Sequence, residues 1–180
     1  FARLFADGAN LFGTTCYGGT AGWGTVFRIG IDGSGFVVLH SFAGGAGDGA
    51  SPQGGLIADD TDTLYGTTID GGASDEGTVF SIKTDGSGFV LLHSFVGGEN
   101  DGSGPYAELL ADATGNLYGT TRRGGIWTDG TIFRMRTDGS EFALLHSFAL
   151  LSGNSIFPVS ALVSDSLGRL WGTTLMGGGS

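Results

Sequence analysis

The chain has 180 residues, of which 37 are glycine, and a formal net charge of −10. This length allows one domain with a real core, and the 40% apolar content with 13 phenylalanines excludes a disordered chain. The acidic charge argues against nucleic-acid binding, which depends mainly on Lys and Arg. No apolar run approaches the about 18 residues that cross a membrane, and the single Cys16 excludes an internal disulfide and a cysteine-rich metal site.

A 53-residue repeat runs through the chain without insertion or deletion. The motif Leu-aromatic-Gly-Thr-Thr begins at residues 11, 64, 117 and 170. The same step separates three copies each of Gly-Thr-[Val/Ile]-Phe, Asp-Gly-Ser-[Gly/Glu]-Phe and Leu-His-Ser-Phe. We therefore divide the single repeat domain into three units, residues 1–53, 54–106 and 107–159, and a half unit, residues 160–180. Because the sequence starts within this pattern and lacks an initial Met and a signal peptide, we expect a fragment or a processed product.

Each unit is predicted to contain four short strands. In the second unit these lie near residues 56–58, 64–68, 78–83 and 89–95, each bounded by Gly, Asp or Asn. The third and fourth are joined by Asp-Gly-Ser-Gly at residues 85–88, a strong signal for a tight hairpin. Four antiparallel strands per repeat of this length predict an all-β fold with β-propeller blades. The alternative is a β-solenoid, whose coils are shorter and whose strands are parallel.

The half unit supplies only the first two strands of a fourth blade. Three and a half blades do not close an ordinary propeller ring, since such rings typically contain four or more blades. The open edge of the half unit would invite strand pairing. We therefore expect either a longer array of repeats or self-association in which residues 160–180 are completed by a neighbouring chain.

These motifs in this order, followed by a Gly-Gly-x-x-Asp-Gly-x-x-Pro loop, resemble the GloVer tandem repeat of bacterial "choice-of-anchor" proteins. The resemblance covers nearly the whole chain. It implies a secreted or surface-displayed bacterial protein held by a C-terminal anchor, in a family without an established enzymatic activity. The third copy departs from the pattern, because its loop is ALLSGNSIFP where the second copy has VGGENDGSGP. This departure argues against one ligand role shared by all copies of the loop.

The repeated histidines and glycines are predicted to be structural. Each histidine is adjacent to a serine, and neighbouring strand residues point to opposite faces, so the two cannot form a nucleophile–base pair. We expect them to brace the blades by hydrogen bonds to carboxylates of the first hairpins; the brace residues are His40, His93, His146, Asp59, Asp112 and Asp165. The Gly-Gly loops have strands on both sides and no following Lys, which favours turns over a phosphate cradle. No cofactor is predicted, although the acidic loops leave calcium binding open.

The loops between the second and third strands and between units vary among the copies. Loops on a rigid scaffold commonly carry recognition, and aromatic residues and Arg are enriched at binding hot spots. The candidates on this loop face are Tyr17, Trp23, Tyr106, Arg122, Arg123, Trp127, Ile156 and Phe157. The apolar residues 149–151, together with Ile156 and Phe157, are the best candidates for a protein contact.

These observations predict a non-catalytic, extracellular bacterial repeat protein that acts as a structural or adhesive surface scaffold. Completion of blades between chains would give a filament. The alternative function is a propeller that binds a glycan or another ligand, such as a polysaccharide or a protein, through the variable loop face. No convergent catalytic set supports an enzyme.

Overall fold

The computed structural model describes residues 2–149 and 156–177, which form an all-β fold. This part of the chain contains no helix that could span a membrane. Its nineteen strands are, in chain order, β1 (Phe5–Ala6), β2 (Asn10–Thr15), β3 (Thr25–Gly30), β4 (Val37–Ser41), β5 (Gly49–Ala50), β6 (Ile57–Ala58), β7 (Thr63–Thr68), β8 (Asp70–Gly71), β9 (Thr78–Lys83), β10 (Val90–Ser94), β11 (Gly102–Pro105), β12 (Leu110–Ala111), β13 (Asn116–Gly124), β14 (Thr131–Arg136), β15 (Ala143–Ser147), β16 (Ile156–Pro158), β17 (Val163–Ser164), β18 (Leu170–Trp171) and β19 (Thr174–Met176).

Three antiparallel sheets of four successive strands each lie within one repeat unit. The strand orders are β1-β2-β3-β4, β6-β7-β9-β10 and β12-β13-β14-β15, with β11 also paired to β13. The second and third strands of a unit form the longest ladder, as in the six residue pairs that join β7 to β9. The predicted all-β class and the antiparallel sheets are confirmed. The strands in these sheets are not parallel, as those of a solenoid would be.

The tight hairpin between the third and fourth strands follows from its Asp-Gly-Ser sequence. In the second unit, the Asp85 side chain accepts a hydrogen bond from the Ser87 N–H at 2.8 Å. The Lys83 N–H donates to the Ser87 carbonyl at 2.9 Å, and Gly86 adopts a φ of 90°. A positive φ costs glycine little, so this turn is encoded locally.

The core continues from one unit into the next. Gly66, in the middle of β7, leaves room for the Phe80 ring, because a Cβ at this glycine would lie 2.6 Å from Phe80 Cζ. Phe80 is fully buried and packs edge-on against Phe42 of the first unit, with ring centres 5.3 Å apart. Phe95 and Phe133 repeat this pair between the second and third units at the same distance. Each unit therefore completes the core of its neighbour.

Short ladders join neighbouring units on the loop face. β5 pairs with β8, β11 pairs with the end of β13, and β16 pairs with β19. In each case the loop that ends one unit lies beside the end of the second strand of the next unit. The loops that vary most in sequence are thus fixed by backbone hydrogen bonds between units.

The two threonines of the Leu-aromatic-Gly-Thr-Thr motif have different partners. The second threonine contacts a threonine of the third strand, as in Thr68 and Thr78, whose hydroxyl oxygens are 2.8 Å apart. The first threonine donates to a backbone carbonyl of the next unit at 3.2–3.3 Å, in the pairs Thr14 to Gly54, Thr67 to Ala107 and Thr120 to Ser160. The motif therefore encodes a contact between units as well as a strand.

The starts of the first strands converge. Arg3, just before β1, lies 3.7 Å from the Glu108 carboxylate, just before β12. Burial raises the pKa of Glu108 and outweighs the opposite effect of the Arg3 charge, so the net shift is upward. Because this contact joins the first unit to the third, the units are arranged along an arc.

The fourth hairpin is less covered than its counterparts. β17 and β18 pair antiparallel, with Val163 opposite Trp171. Trp171 is 55% exposed, whereas Tyr65, at the same repeat position in the second unit, is 5% exposed. Tyr65 lies in a four-stranded sheet, as does the fully buried Phe12 at this position in the first unit, whereas Trp171 lies in a two-stranded sheet.

Candidate functional site

Three of the predicted recognition residues line one crevice on the loop face. Tyr106, Arg122 and Arg123 lie between the second and third units around a cavity of about 260 Å³, which we call the loop-face crevice. Trp127, in contrast, stands on the next loop with 54% of its surface exposed. The other residues that line the crevice are Ile69, Asp70, Asp75, Glu76, Ser103 and Gly104.

The walls of the loop-face crevice are held by hydrogen bonds between loops. The Glu76 carboxylate accepts a hydrogen bond from the Ser103 hydroxyl, and its backbone carbonyl accepts one from the Gly104 N–H at 2.8 Å. Ser103 in turn lies opposite Arg123 in the ladder between β11 and β13. The two loops of the second unit are thus fixed to each other and to the third unit.

Charges of both signs face the crevice without pairing across it. Among the ion pairs within 4.0 Å in the described residues, none involves Arg122 or Arg123. The Arg122 guanidinium lies 6.0 Å from the centre of the half-buried Phe157 ring, and the Asp75 carboxylate accepts a hydrogen bond from the Gly71 N–H at 2.8 Å. Two guanidinium groups beside an open cavity suit an anionic ligand group, and the carboxylates opposite suit donors such as hydroxyls.

The aromatic candidates of the first unit lie at other positions on the same face. Trp23 lines a groove of about 360 Å³ that reaches Asp70. Tyr17 lines a separate cavity of about 430 Å³ with Cys16 and Gln53. The loop-face residues predicted as one group are therefore distributed over several shallow sites.

We predicted that residues 149–151, Ile156 and Phe157 form an exposed apolar contact patch, and for two of these residues the prediction is wrong. Ile156 is 5% exposed and Ala149 is 8% exposed. Ile156 is buried because β16 is part of the ladder between units, where this residue lies opposite Met176. Residues 150 and 151, which belonged to the same prediction, lie outside the described residues.

Two of the three repeated histidines bind carboxylates other than the predicted ones. His40 Nε2 lies 3.1 Å from both carboxylate oxygens of Asp48, and His93 Nε2 lies 3.2 Å from Asp101 Oδ1. For these two histidines the predicted pairing with the aspartates of the first hairpins is wrong, because the loop that ends the first unit and the loop that ends the second each fold back onto the fourth strand of their own unit. The position that corresponds to these aspartates in the third unit is Asn154, which lies outside the described residues.

The aspartates of the first hairpins instead hold those hairpins. Each carboxylate accepts hydrogen bonds from backbone N–H groups of its own turn and from an aromatic side chain of the second strand; the pairs are Asp59 with Tyr65, Asp112 with Tyr118, and Asp165 with Trp171. Burial and the hydrogen bond to Asp59 raise the pKa of Tyr65 to about 12. Burial also raises the pKa of Asp59, but its hydrogen bonds outweigh this effect and the net shift is downward.

Each of the two braced histidines also stacks on a phenylalanine of the next unit. The ring centres of His40 and Phe89 are 3.8 Å apart with an interplanar angle of 7°. His93 and Phe142 repeat this geometry at 3.9 Å and 6°. The carboxylate of one unit and the aromatic ring of the next therefore fix each histidine at the junction.

Some of these contacts had a sequence signal and others did not. Asp48 and Asp101 follow their histidines by eight residues, a spacing that repeats once and would have identified the pair. Glu76 and Ser103 of the loop-face crevice belong to loops that differ between copies, so no repeat marks them. No group of three or more His, Cys, Asp or Glu side chains suited to a metal ion occurs among residues 2–149 and 156–177.

Antiparallel four-stranded sheets whose mutual contacts recur every 53 residues define a tandem-repeat protein with an all-β fold of the β-propeller type. Residues 2–180 match the Gloeobacter/Verrucomicrobia repeat, and the chain belongs to that family, as its motifs predicted. No curated protein is similar in sequence.

A solved structure with a similar fold is a chain of the crystal structure of a nidogen/laminin complex. The TM-score is 0.56 at 19% sequence identity, and the match covers 88% of this chain and 49% of that chain. The chain thus spans about half the length of the solved chain that it matches. At this identity the similarity concerns the fold alone.

Proposed function

We propose that the protein is a non-catalytic scaffold in which repeat units associate side by side as propeller blades, and that it is displayed outside a bacterial cell. The observation that carries this proposal is the recurrence of the same contacts at successive junctions between units. These are the threonine-to-carbonyl hydrogen bond, the loop ladder and the histidine–phenylalanine stack. In such an array, stability accumulates from interfaces between neighbours, so the array can be extended without a new fold.

The arrangement of His93 and Ser94 supports a structural role over catalysis. The Ser94 hydroxyl accepts a hydrogen bond from the Ala73 N–H at 2.7 Å, while the His93 ring is held by Asp101. Both side chains are therefore engaged in joining loops to strands. A nucleophile needs a base within hydrogen-bond reach, which this pair does not provide.

The scaffold proposal predicts self-association through residues 160–180. Size-exclusion chromatography and electron microscopy of the chain over a range of concentrations test it. We expect oligomers or filaments that disappear when residues 160–180 are deleted. A monomer at every concentration, or oligomers that persist after the deletion, would contradict assembly through this segment. Immunogold labelling of intact and permeabilised bacterial cells tests the extracellular location, where labelling only after permeabilisation would exclude it.

A second candidate function is the binding of an acidic sugar in the loop-face crevice. Arg122 and Arg123, which form no ion pair within the described part of the chain, suit a carboxylate. The acidic side chains that line the same crevice suit hydroxyl groups, and the aromatic Tyr106 also lines it. The volume of about 260 Å³ is at the small end for ligand sites, which suits a single sugar residue.

Calorimetry with glucuronate and with oligogalacturonate tests the second function. Loss of a charge-assisted hydrogen bond costs about 1.5–3 kcal/mol, so Arg122→Gln or Arg123→Gln should weaken binding by about tenfold or more. Arg28→Gln, on β3 and away from the crevice, is the matched control and should bind as the wild type does. Equal affinity for glucose, or unchanged binding by both crevice variants, would exclude this function.

A further inference from the structure

Among the described residues, no aromatic ring lies over Gly172 of the fourth hairpin, whereas each complete unit has one over the equivalent glycine. In those units the third-strand phenylalanine lies over the glycine of Leu-aromatic-Gly-Thr-Thr. A Cβ at Gly13 would be 2.8 Å from Phe27 Cζ, and one at Gly66 would be 2.6 Å from Phe80 Cζ. At Gly172, the one described atom within 4 Å of such a Cβ belongs to Leu162.

A cavity of about 420 Å³ lies at this position. Its lining is mostly apolar and comes from both the third unit (Ile132, Phe148 and Pro158) and the fourth hairpin (Leu162, Leu170 and Gly172). In the second unit, the corresponding space is occupied by Phe80, which is fully buried. The cavity therefore has the position and the lining of a phenylalanine site.

The outer strand of the third unit presents the second half of the same contact. His146 packs edge-on against Phe148 at 4.7 Å, as His40 does against Phe42 at 4.8 Å. Yet His146 is exposed, whereas His40 is partly covered by the stacked ring of Phe89. The other ring face of His146 is thus arranged for a stack that no described residue provides.

The backbone next to His146 is open as well. In the first unit, the Leu39 carbonyl lies beneath the hairpin turn of the second unit, where a Cβ on Gly86 would be 3.3 Å from it. In the same way, the Leu92 carbonyl lies beneath the hairpin turn of the third unit, where a Cβ on Gly139 would be 2.9 Å from it. Leu145, the next in this series, is 47% exposed.

We infer that β18, the cavity beside Gly172 and the exposed face of His146 together form a docking site for the third- and fourth-strand hairpin of a second copy of this chain. Its third strand would pair with the edge of β18 that no described strand occupies, as β9 pairs with β7. Its two phenylalanines, nine residues apart like Phe80 and Phe89, occupy the cavity and the histidine stack. The inference rests on the proposed side-by-side association of units and names the segment that is recognised.

A synthetic peptide of residues 77–95 is the probe, because it contains both phenylalanines and the turn. Fluorescence anisotropy of the labelled peptide against the full chain should show saturable one-to-one binding. Peptides with Phe80→Ala or Phe89→Ala should bind about tenfold or more weakly, since each loses a buried aromatic ring. The matched control peptide, Val90→Ala, changes a residue that is 50% exposed and should bind within about twofold of the parent.

Two protein variants locate the site. Gly172→Val places a side chain where the Phe80 ring of the peptide must lie, and should abolish binding. His146→Ala removes the stacking partner, so Phe89→Ala should weaken peptide binding to this variant less than it weakens binding to the unchanged chain. Some loss should remain, because the Phe89 ring also contacts Phe42 and Phe80. The inference would be overturned if the losses of binding free energy caused by the His146 and Phe89 changes simply added together. Undiminished binding of the peptide to Gly172→Val would also overturn it.

The outcomes separate this inference from the scaffold proposal. Peptide binding with these sensitivities by a chain that stays monomeric supports the docking site and contradicts assembly into filaments. Filaments that form while the peptide neither binds nor competes support the scaffold and overturn the docking site. If a second copy of the chain already fills the site, excess peptide should dissociate the oligomers, which would support the inference.

Discussion

The second unit and the fourth hairpin have the same motif in different surroundings. Leu64 and Tyr65 are buried between a third strand and two neighbouring units, whereas Leu170 is half-buried and Trp171 is mostly exposed. Both hairpins are closed by an aspartate that accepts hydrogen bonds from its own turn. The hairpin is therefore encoded locally, while the burial of its apolar side chains comes from the strands and units that flank it.

The largest expected effect follows removal of the ring that fills the second unit. Phe80→Ala should lower the free energy of unfolding by about 3–5 kcal/mol, the usual cost of deleting a buried phenylalanine. Phe36→Ala, at a 58% exposed ring, should cost less than about 1 kcal/mol. Urea denaturation followed by circular dichroism measures both, and similar losses for the two variants would contradict the burial of Phe80 in the core of the second unit.

A matched pair of glycine substitutions compares the two regions directly. Gly66→Val forces a side chain against Phe80 and Leu56, and overpacking of this kind costs about 1–3 kcal/mol. Gly172→Val meets only Leu162 among the described residues and should cost clearly less. Thermal unfolding of the two variants tests this ordering. A larger loss for Gly172→Val would show that the fourth hairpin is packed in solution.

The histidine junction offers a further matched pair. His93→Ala removes the partner of a buried Asp101 carboxylate and a stacked ring, and should destabilise the chain by about 1–3 kcal/mol. His146→Ala changes an exposed ring and should stay within about 0.5 kcal/mol of the wild type. Equal melting temperatures for His93→Ala and the wild type would exclude the brace.

The smallest expected effect is the dependence of stability on acid pH. Hydrogen bonds from Asn116 and Thr114 outweigh burial and hold the pKa of Asp112 below its ordinary value. A lowered folded-state pKa contributes stability that is complete above the unfolded value of about 3.9 and is lost as the pH falls towards the folded value. Asp112→Asn should therefore have a shallower loss of stability below about pH 4 than the wild type. Parallel pH profiles from chemical denaturation would contradict this assignment.

The repeat spacing was sufficient to predict the strands and sheets because each turn is encoded by adjacent residues. Asp85, Gly86 and Ser87 form one hairpin by themselves, and the aspartates of the first hairpins form another. Strand order within a unit then follows from short connections. The contacts between units were missed because they depend on how separate segments meet.

In the candidate site, too, the residues recognisable from local sequence were predicted and the contacts between separate segments were not. Tyr106, Arg122 and Arg123 were predicted from residue type and loop position, and all three line the loop-face crevice. Ile156 was misplaced because a two-stranded ladder between units cannot be recognised from one strand alone. Glu76, which holds the crevice wall through Ser103, became apparent only from the structure.

Amide hydrogen exchange tests most directly the central claim that a repeat hairpin is covered only when a third and a fourth strand complete its sheet. The comparison is between the Leu64 amide in β7 and the Leu170 amide in β18, measured on dilute protein with and without the peptide of residues 77–95. We predict that the Leu170 amide exchanges much faster than the Leu64 amide in the free chain and becomes protected when the peptide binds. Equal protection of both amides in the free chain, or a Leu170 amide that stays unprotected with saturating peptide, would contradict the claim.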